Sequence, residues 1–76
     1  MAEPWTALYT NALQANPSEL LAIINVACDA MHNRLYALLW REEAGFRTER
    51  RALYLGLADL HVLRLSRQAS LRVTRA

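Results

Sequence analysis

Seventy-six residues, 54% of them hydrophobic, with nine arginines, no lysine and a net charge of +2, describe one small folded unit. A chain of this size buries only about 60% of its unfolded surface, so its core is marginal and needs regular helix packing, a metal, a disulfide or a partner. Cys28 is the only cysteine, which excludes an internal disulfide, and the longest apolar runs, 20–24 and 37–40, fall far short of a membrane span of about 20 residues.

Only two glycines and two prolines are present, which favours long helices over a turn-rich β fold. The opening Met-Ala-Glu-Pro-Trp has no basic segment of the secretory kind, and the lone cysteine fits a reducing compartment, so the expected location is cytoplasmic.

The first helix is expected over about residues 4–14. Pro4 suits a first helical position, and Trp5, Leu8, Tyr9, Ala12 and Leu13 form one apolar stripe. Three turns are not stable alone in water, so this helix must dock on something. Asn16-Pro17-Ser18-Glu19 reads as a helix start, with Asn16 as cap and Glu19 completing a capping-box-like arrangement. A second helix is expected over 17–43, with a seam of Leu21, Ile24, Cys28, Met31, Leu35 and Leu38 spaced alternately three and four apart. Leu20, Ile23, Ala27 and Ala30 widen that seam, and Asn25, Asp29, His32, Asn33 and Tyr36 fall on the other side.

Residues 44–48 read as the break, with Gly45 ending the second helix in a left-handed conformation and Thr48 capping the third. The third helix is expected over 49–67, with Leu53, Leu57, Leu60 and Leu63 or Arg64 as its stripe and the small Ala52 and Gly56 on the same face. Residues 68–76 lose the period and read as a loosely held basic tail. The expected fold is all-α: a short helix on a long antiparallel hairpin, in a single domain over 1–67 that is suited to a dimeric bundle. By this reading the first helix lies along the N-terminal half of the second and the C-terminal half of the third, leaving the turn region uncovered.

Charges mirror each other about a point between residues 46 and 47. Glu43 answers Arg50, Glu42 answers Arg51, Arg34 answers Asp59, and Asp29 answers Arg64. An antiparallel hairpin turning there would set each pair at one level. Charge is also segregated, with net −3 over residues 1–46 and net +5 over 47–76.

The chemistry-bearing residues are sparse. His32 and His61 share a level in that hairpin, with Cys28 and Asp29 one turn away, so a metal site is drawn most simply from these four. His32 lies on the polar side, however, and Cys28 on the apolar seam, where a free cysteine acts as a small buried hydrophobe. No Ser-His-Asp set, phosphate-binding glycine loop or nucleotide fingerprint is present. No catalytic, metal or cofactor residue is therefore assigned, and the expectation is a protein that is not an enzyme.

Tyr36, Leu39, Trp40, Leu55 and Val62 lie off the main stripes, and uncovered aromatic and aliphatic groups mark an interaction surface. The leading expectation is a helical interaction or adaptor protein that binds itself, as a homodimer, or another protein through these residues. The competing expectation is a small nucleic-acid-binding regulator using Arg64, Arg67, Arg72 and Arg75, a segment with four arginines and no acid. A solvated arginine face, with Arg64 and Arg67 serving the helix dipole, explains the same residues without a ligand.

Trp5, Leu8, Tyr9, Ala12 and Leu13, followed by Leu20, Ile24, Ala27, Ala30, Arg34 and Leu38, resemble a set of short uncharacterised bacterial helical proteins that open with Trp-x-x-Leu-Tyr-x-x-Ala-Leu. Residues 49–53 and 57–60 resemble their second half. The resemblance implies a bacterial origin and the same three-helix arrangement; it carries no activity, cofactor or site residue.

Overall fold

The computed structural model describes the backbone of residues 4–75 and the side chains of residues 4–70. Three helices follow one another: α1 (Pro4–Gln14), α2 (Leu20–Leu38) and α3 (Ala44–Arg75). No strand occurs among the described residues. The 32 residues of α3 span about 48 Å at 1.5 Å per residue, which sets the 50 Å long axis of the molecule.

The first helix keeps its expected bounds; the other two do not. Residues 17–19 form a turn and α2 starts at Leu20. Glu19 is its N-cap without a side-chain cap bond, while the Glu19 N–H donates to the Asn16 carbonyl. Asn16 is thus used through its backbone, closing the turn after α1, and the expected capping box is absent.

At the other end α2 stops at Leu38, five residues early, and Arg50 caps that end. Its guanidinium donates to the Leu38 carbonyl at 2.7 Å and also to the Arg41 carbonyl. A cation on the last carbonyls of a helix satisfies acceptors that have no partner within the helix. The chain then turns through residues 39–43, and the Glu43 carbonyl accepts from the Phe46 and Arg47 N–H groups to open α3. Gly45 therefore sits inside the first turn of α3, and no described residue has positive φ. Thr48 is no cap either: its hydroxyl donates to the Ala44 carbonyl one turn back, within the helix.

Moving the turn toward the N-terminus changes the charge register. Arg34 pairs with Glu49, Arg41 with Glu43, and Asp59 accepts the Tyr9 hydroxyl. None of the four mirrored ion pairs closes among the described residues. Nor does α3 end at Arg67. Residues 68–75 hold no glycine or proline to break it, and the helix runs on to Arg75 in place of a loose tail.

The core follows the seam closely. Ile24, Cys28, Met31, Leu35 and Leu38 of α2 are buried with Leu20 and Ala27, against Leu53 and Leu60 of α3 and Trp5 and Ala12 of α1. Leu21 is half-buried, and Ala52 and Leu13 face outward. Gly56 is the point of closest approach: a Cβ there would lie 2.7 Å from Met31 Cε and 3.4 Å from the Tyr9 ring.

The first helix lies along α2 but reaches nearer the turn than expected, and it meets the N-terminal half of α3, not the C-terminal half. Trp5 Nε1 donates to Glu49 at 3.0 Å near the start of α3, and Tyr9 donates to Asp59 at 2.9 Å further along. α1 therefore begins at the turn end of the hairpin and runs parallel to α3. The short connection over residues 15–19 returns the chain antiparallel along α2, and the Trp5–Glu49 bond ties the start of α1 to the turn end.

Candidate protein-interaction surface

The turn end is organised by Glu49. Arg34 grips it with two parallel bonds, Nε to Oε2 at 2.6 Å and Nη2 to Oε1 at 2.9 Å, and Trp5 adds a third from α1. The Arg34 hydrogen bonds hold the Glu49 carboxyl below the ordinary glutamate range, against the opposing effect of burial and with help from Trp5. All three helices meet at this one side chain. Phe46 completes the end, with the Arg41 guanidinium 4.7 Å from its ring centroid and Arg34 5.9 Å away.

Arg41, not Trp40, covers Phe46. Trp40 lies in the turn at 90% exposure, not folded beside Phe46. Tyr36, in the last turns of α2, and Leu39, beside Trp40, are exposed as well. Three of the five expected contact residues are thus gathered at and before the turn. The other two, Leu55 and Val62, are 59% and 67% exposed and belong to the outer face of α3. Leu55 lies about 16 Å along the axis from Ala44, so the five residues divide into two areas.

The second area is larger than the sequence reading recognised. Leu65 is 62% exposed, and the exposed Ala58 and Ala69 lie between and beyond these side chains. At 100° per residue, positions 55, 58, 62, 65 and 69 fall on the side of α3 opposite the buried Leu53, Gly56 and Leu60. The alternating spacing of three and four was visible in the sequence, but it competes there with the core stripe of the same helix. Tyr54 edges this face, and Val26 and Leu13 stand exposed elsewhere.

The groove between α2 and α3 holds the histidines. Cys28, His32, Leu57, Ala58, His61 and Arg64 line a cleft of about 200 Å³. His32 Nδ1 donates to the Cys28 carbonyl at 2.9 Å, a local helical bond that fixes the ring. Asp29 is exposed and is not among the lining residues. Among the described residues no group of three or more His, Cys, Asp or Glu side chains is arranged to hold a metal ion.

Arg64 is not a free cation. Its Nη2 donates to Asn25 Oδ1 at 2.9 Å and approaches Cys28 Sγ at 3.6 Å, which packs it across the hairpin. Arg67 is half-buried. The side chains of Arg72 and Arg75 lie outside the described residues, although both positions belong to α3. Among the described residues no helix is long and apolar enough to cross a membrane.

Comparison with protein-family models, with curated proteins and with solved structures finds no match to this chain.

Proposed function

We propose that this chain is a non-enzymatic interaction protein that acts by burying exposed apolar side chains against a second copy or another protein. The exposure of Trp40 carries the reading. A tryptophan set in water at the tip of a hairpin loses the largest apolar surface of any side chain to solvent, and aromatic anchors contribute disproportionately to interfaces. Tyr36 and Leu39 extend that anchor, and Leu55 and Val62 provide a second contact area along α3.

Sedimentation equilibrium, with tryptophan emission recorded over the same concentrations, tests this reading. A mass that rises above 8.7 kDa with concentration supports self-association, and a blue shift with it places Trp40 in the contact. A constant monomer mass leaves only the heterologous branch. That branch is overturned if immobilised wild type and its Trp40→Ala, Leu55→Glu form retain identical proteins from a cell extract.

The second reading, nucleic-acid binding, draws on the helical course of residues 68–75, which carries the arginine-rich segment past the N-terminal end of α2. Binding that falls steeply with salt and disappears in Arg67→Ala, Arg72→Ala, Arg75→Ala would support it. Absence of binding to DNA and RNA at low salt would remove it.

A further inference from the structure

We infer that the outer face of α3 pairs antiparallel with the same face of a second copy, about a two-fold axis at the level of Leu60. This rests on the interaction reading above and names one occupant and one geometry for it.

The face itself is the first argument. Leu55, Ala58, Val62, Leu65 and Ala69 recur at alternating steps of three and four, the spacing of a helix that packs against a nearly parallel or antiparallel neighbour. Its own hairpin leaves it largely open: Leu53, Gly56 and Leu60 on the opposite side face the core, while Ala58 also borders the cleft against α2.

The order of sizes is the second. Leu55 and Leu65 stand equidistant from Leu60, as do Ala58 and Val62. A two-fold axis there sets leucine against leucine and the small Ala58 against the larger Val62, so the surface is complementary to itself. The midpoint of Ala44–Arg75 falls between residues 59 and 60, so the same axis overlaps the helix along its full length.

Charge selects the direction. A parallel pair would set Arg51 beside its own copy and bring together two C-terminal ends that each carry four arginines and no acid from Arg64 onward. The antiparallel pair sets Arg51 opposite Ala69 and moves the two arginine-rich ends apart, each along the other copy's residues 45–56. There Arg47, Arg50 and Arg51 are accompanied by Glu49, with Glu42 and Glu43 just before them, so like charges crowd less than in the parallel pair. Asp59, beside the axis, is engaged by the Tyr9 hydroxyl of its own chain.

Contact along the full helix, about 48 Å over a strip roughly 10 Å wide, would bury on the order of 1,000 Å² in total, the lower bound for a specific interface, and the apolar seam from Leu55 to Ala69 forms about 21 Å of that length.

Sedimentation of wild type, Leu55→Glu and Val62→Glu tests the seam, and disulfide trapping tests its direction. The three changed or trapped positions, 51, 55 and 62, and position 69 are all exposed, so circular dichroism should be unchanged. The expected result is a wild-type dimer whose dissociation constant rises at least about 10-fold in either glutamate variant, as a buried charge in a small apolar contact requires. Mixing Arg51→Cys with Ala69→Cys should give a crosslinked heterodimer, with little self-crosslinking of Arg51→Cys; Cys28 is buried and out of reach. A dimer unaffected by both glutamates overturns this seam and leaves self-association standing. Efficient self-crosslinking of Arg51→Cys overturns the antiparallel direction. A wild type that stays monomeric up to about 500 µM overturns the pairing and self-association together.

Discussion

Arg34 and Glu49 form a two-pronged ion pair, at 2.6 and 2.9 Å, that locks α2 to α3 just inside the turn. Trp5 donates to the same carboxylate, so the pair also fixes where α1 docks. With side-chain exposures of 29% and 14%, the two groups sit at the edge of the core, where such geometry contributes more than an open surface pair.

Glu49→Gln should therefore lower stability by about 1–2 kcal/mol in urea unfolding. The loss should be pH-dependent. The folded carboxyl titrates below its ordinary value of 4.5, so its contribution is fully present above that value and disappears as pH falls through the folded one. Wild type and Glu49→Gln should differ at neutral pH and converge in acid. A gap that stays constant down to acid pH would show that the carboxylate charge is not what holds this end together.

Gly56 is fixed by what lies over it. Alanine gains about 1 kcal/mol of helix propensity, but its Cβ displaces the buried Met31 methyl from 2.7 Å. Met31 is flexible at that end, so Gly56→Ala should stay within about 1 kcal/mol of wild type. Gly56→Leu has no such escape and should lose at least about 2 kcal/mol by thermal melting. Equal stability of all three would mean that the helices do not approach closely here.

Arg50 caps α2 by taking the carbonyls of Leu38 and Arg41. Arg50→Ala should lose about 1 kcal/mol, and Arg50→Lys should restore only part of it, since both bonds come from the one Nη1 at the end of a longer side chain, which the shorter lysine places less well. Hydrogen exchange at the Leu39 and Arg41 amides, which close the turn, should speed up in both variants. Unchanged exchange there would remove Arg50 from its capping role.

Much of this architecture was readable before the structure. The seam from Ile24 to Leu38 and the bounds of α1 follow from periodicity, because burial on one face writes itself into spacing. The turn was misplaced because Gly45 is the strongest local breaker, whereas the actual stop is capped by Arg50, a residue twelve positions beyond the carbonyl it takes. The contact of α1 with the start of α3 rests on a Trp5–Glu49 bond across 44 residues, and no local pattern encodes it. At the candidate surface the exposure of Tyr36, Leu39, Trp40, Leu55 and Val62 was legible as misfit with the stripes. Their division between the turn and the back of α3 was not, since it follows from the shifted turn.

Trp40 separates stability from association. At 90% exposure it packs on little in its own chain, so Trp40→Ala should change unfolding free energy by no more than about 0.5 kcal/mol. A loss well above that would mean the side chain folds back onto the hairpin and is no anchor.

That a second copy covers these exposed apolar groups is checked by sedimentation equilibrium of the wild-type chain from about 1 to 500 µM. The account predicts a mass rising from that of one 8.7 kDa chain toward twice that value, and a rise suppressed by Leu55→Glu. A single-chain mass across the whole range would contradict it.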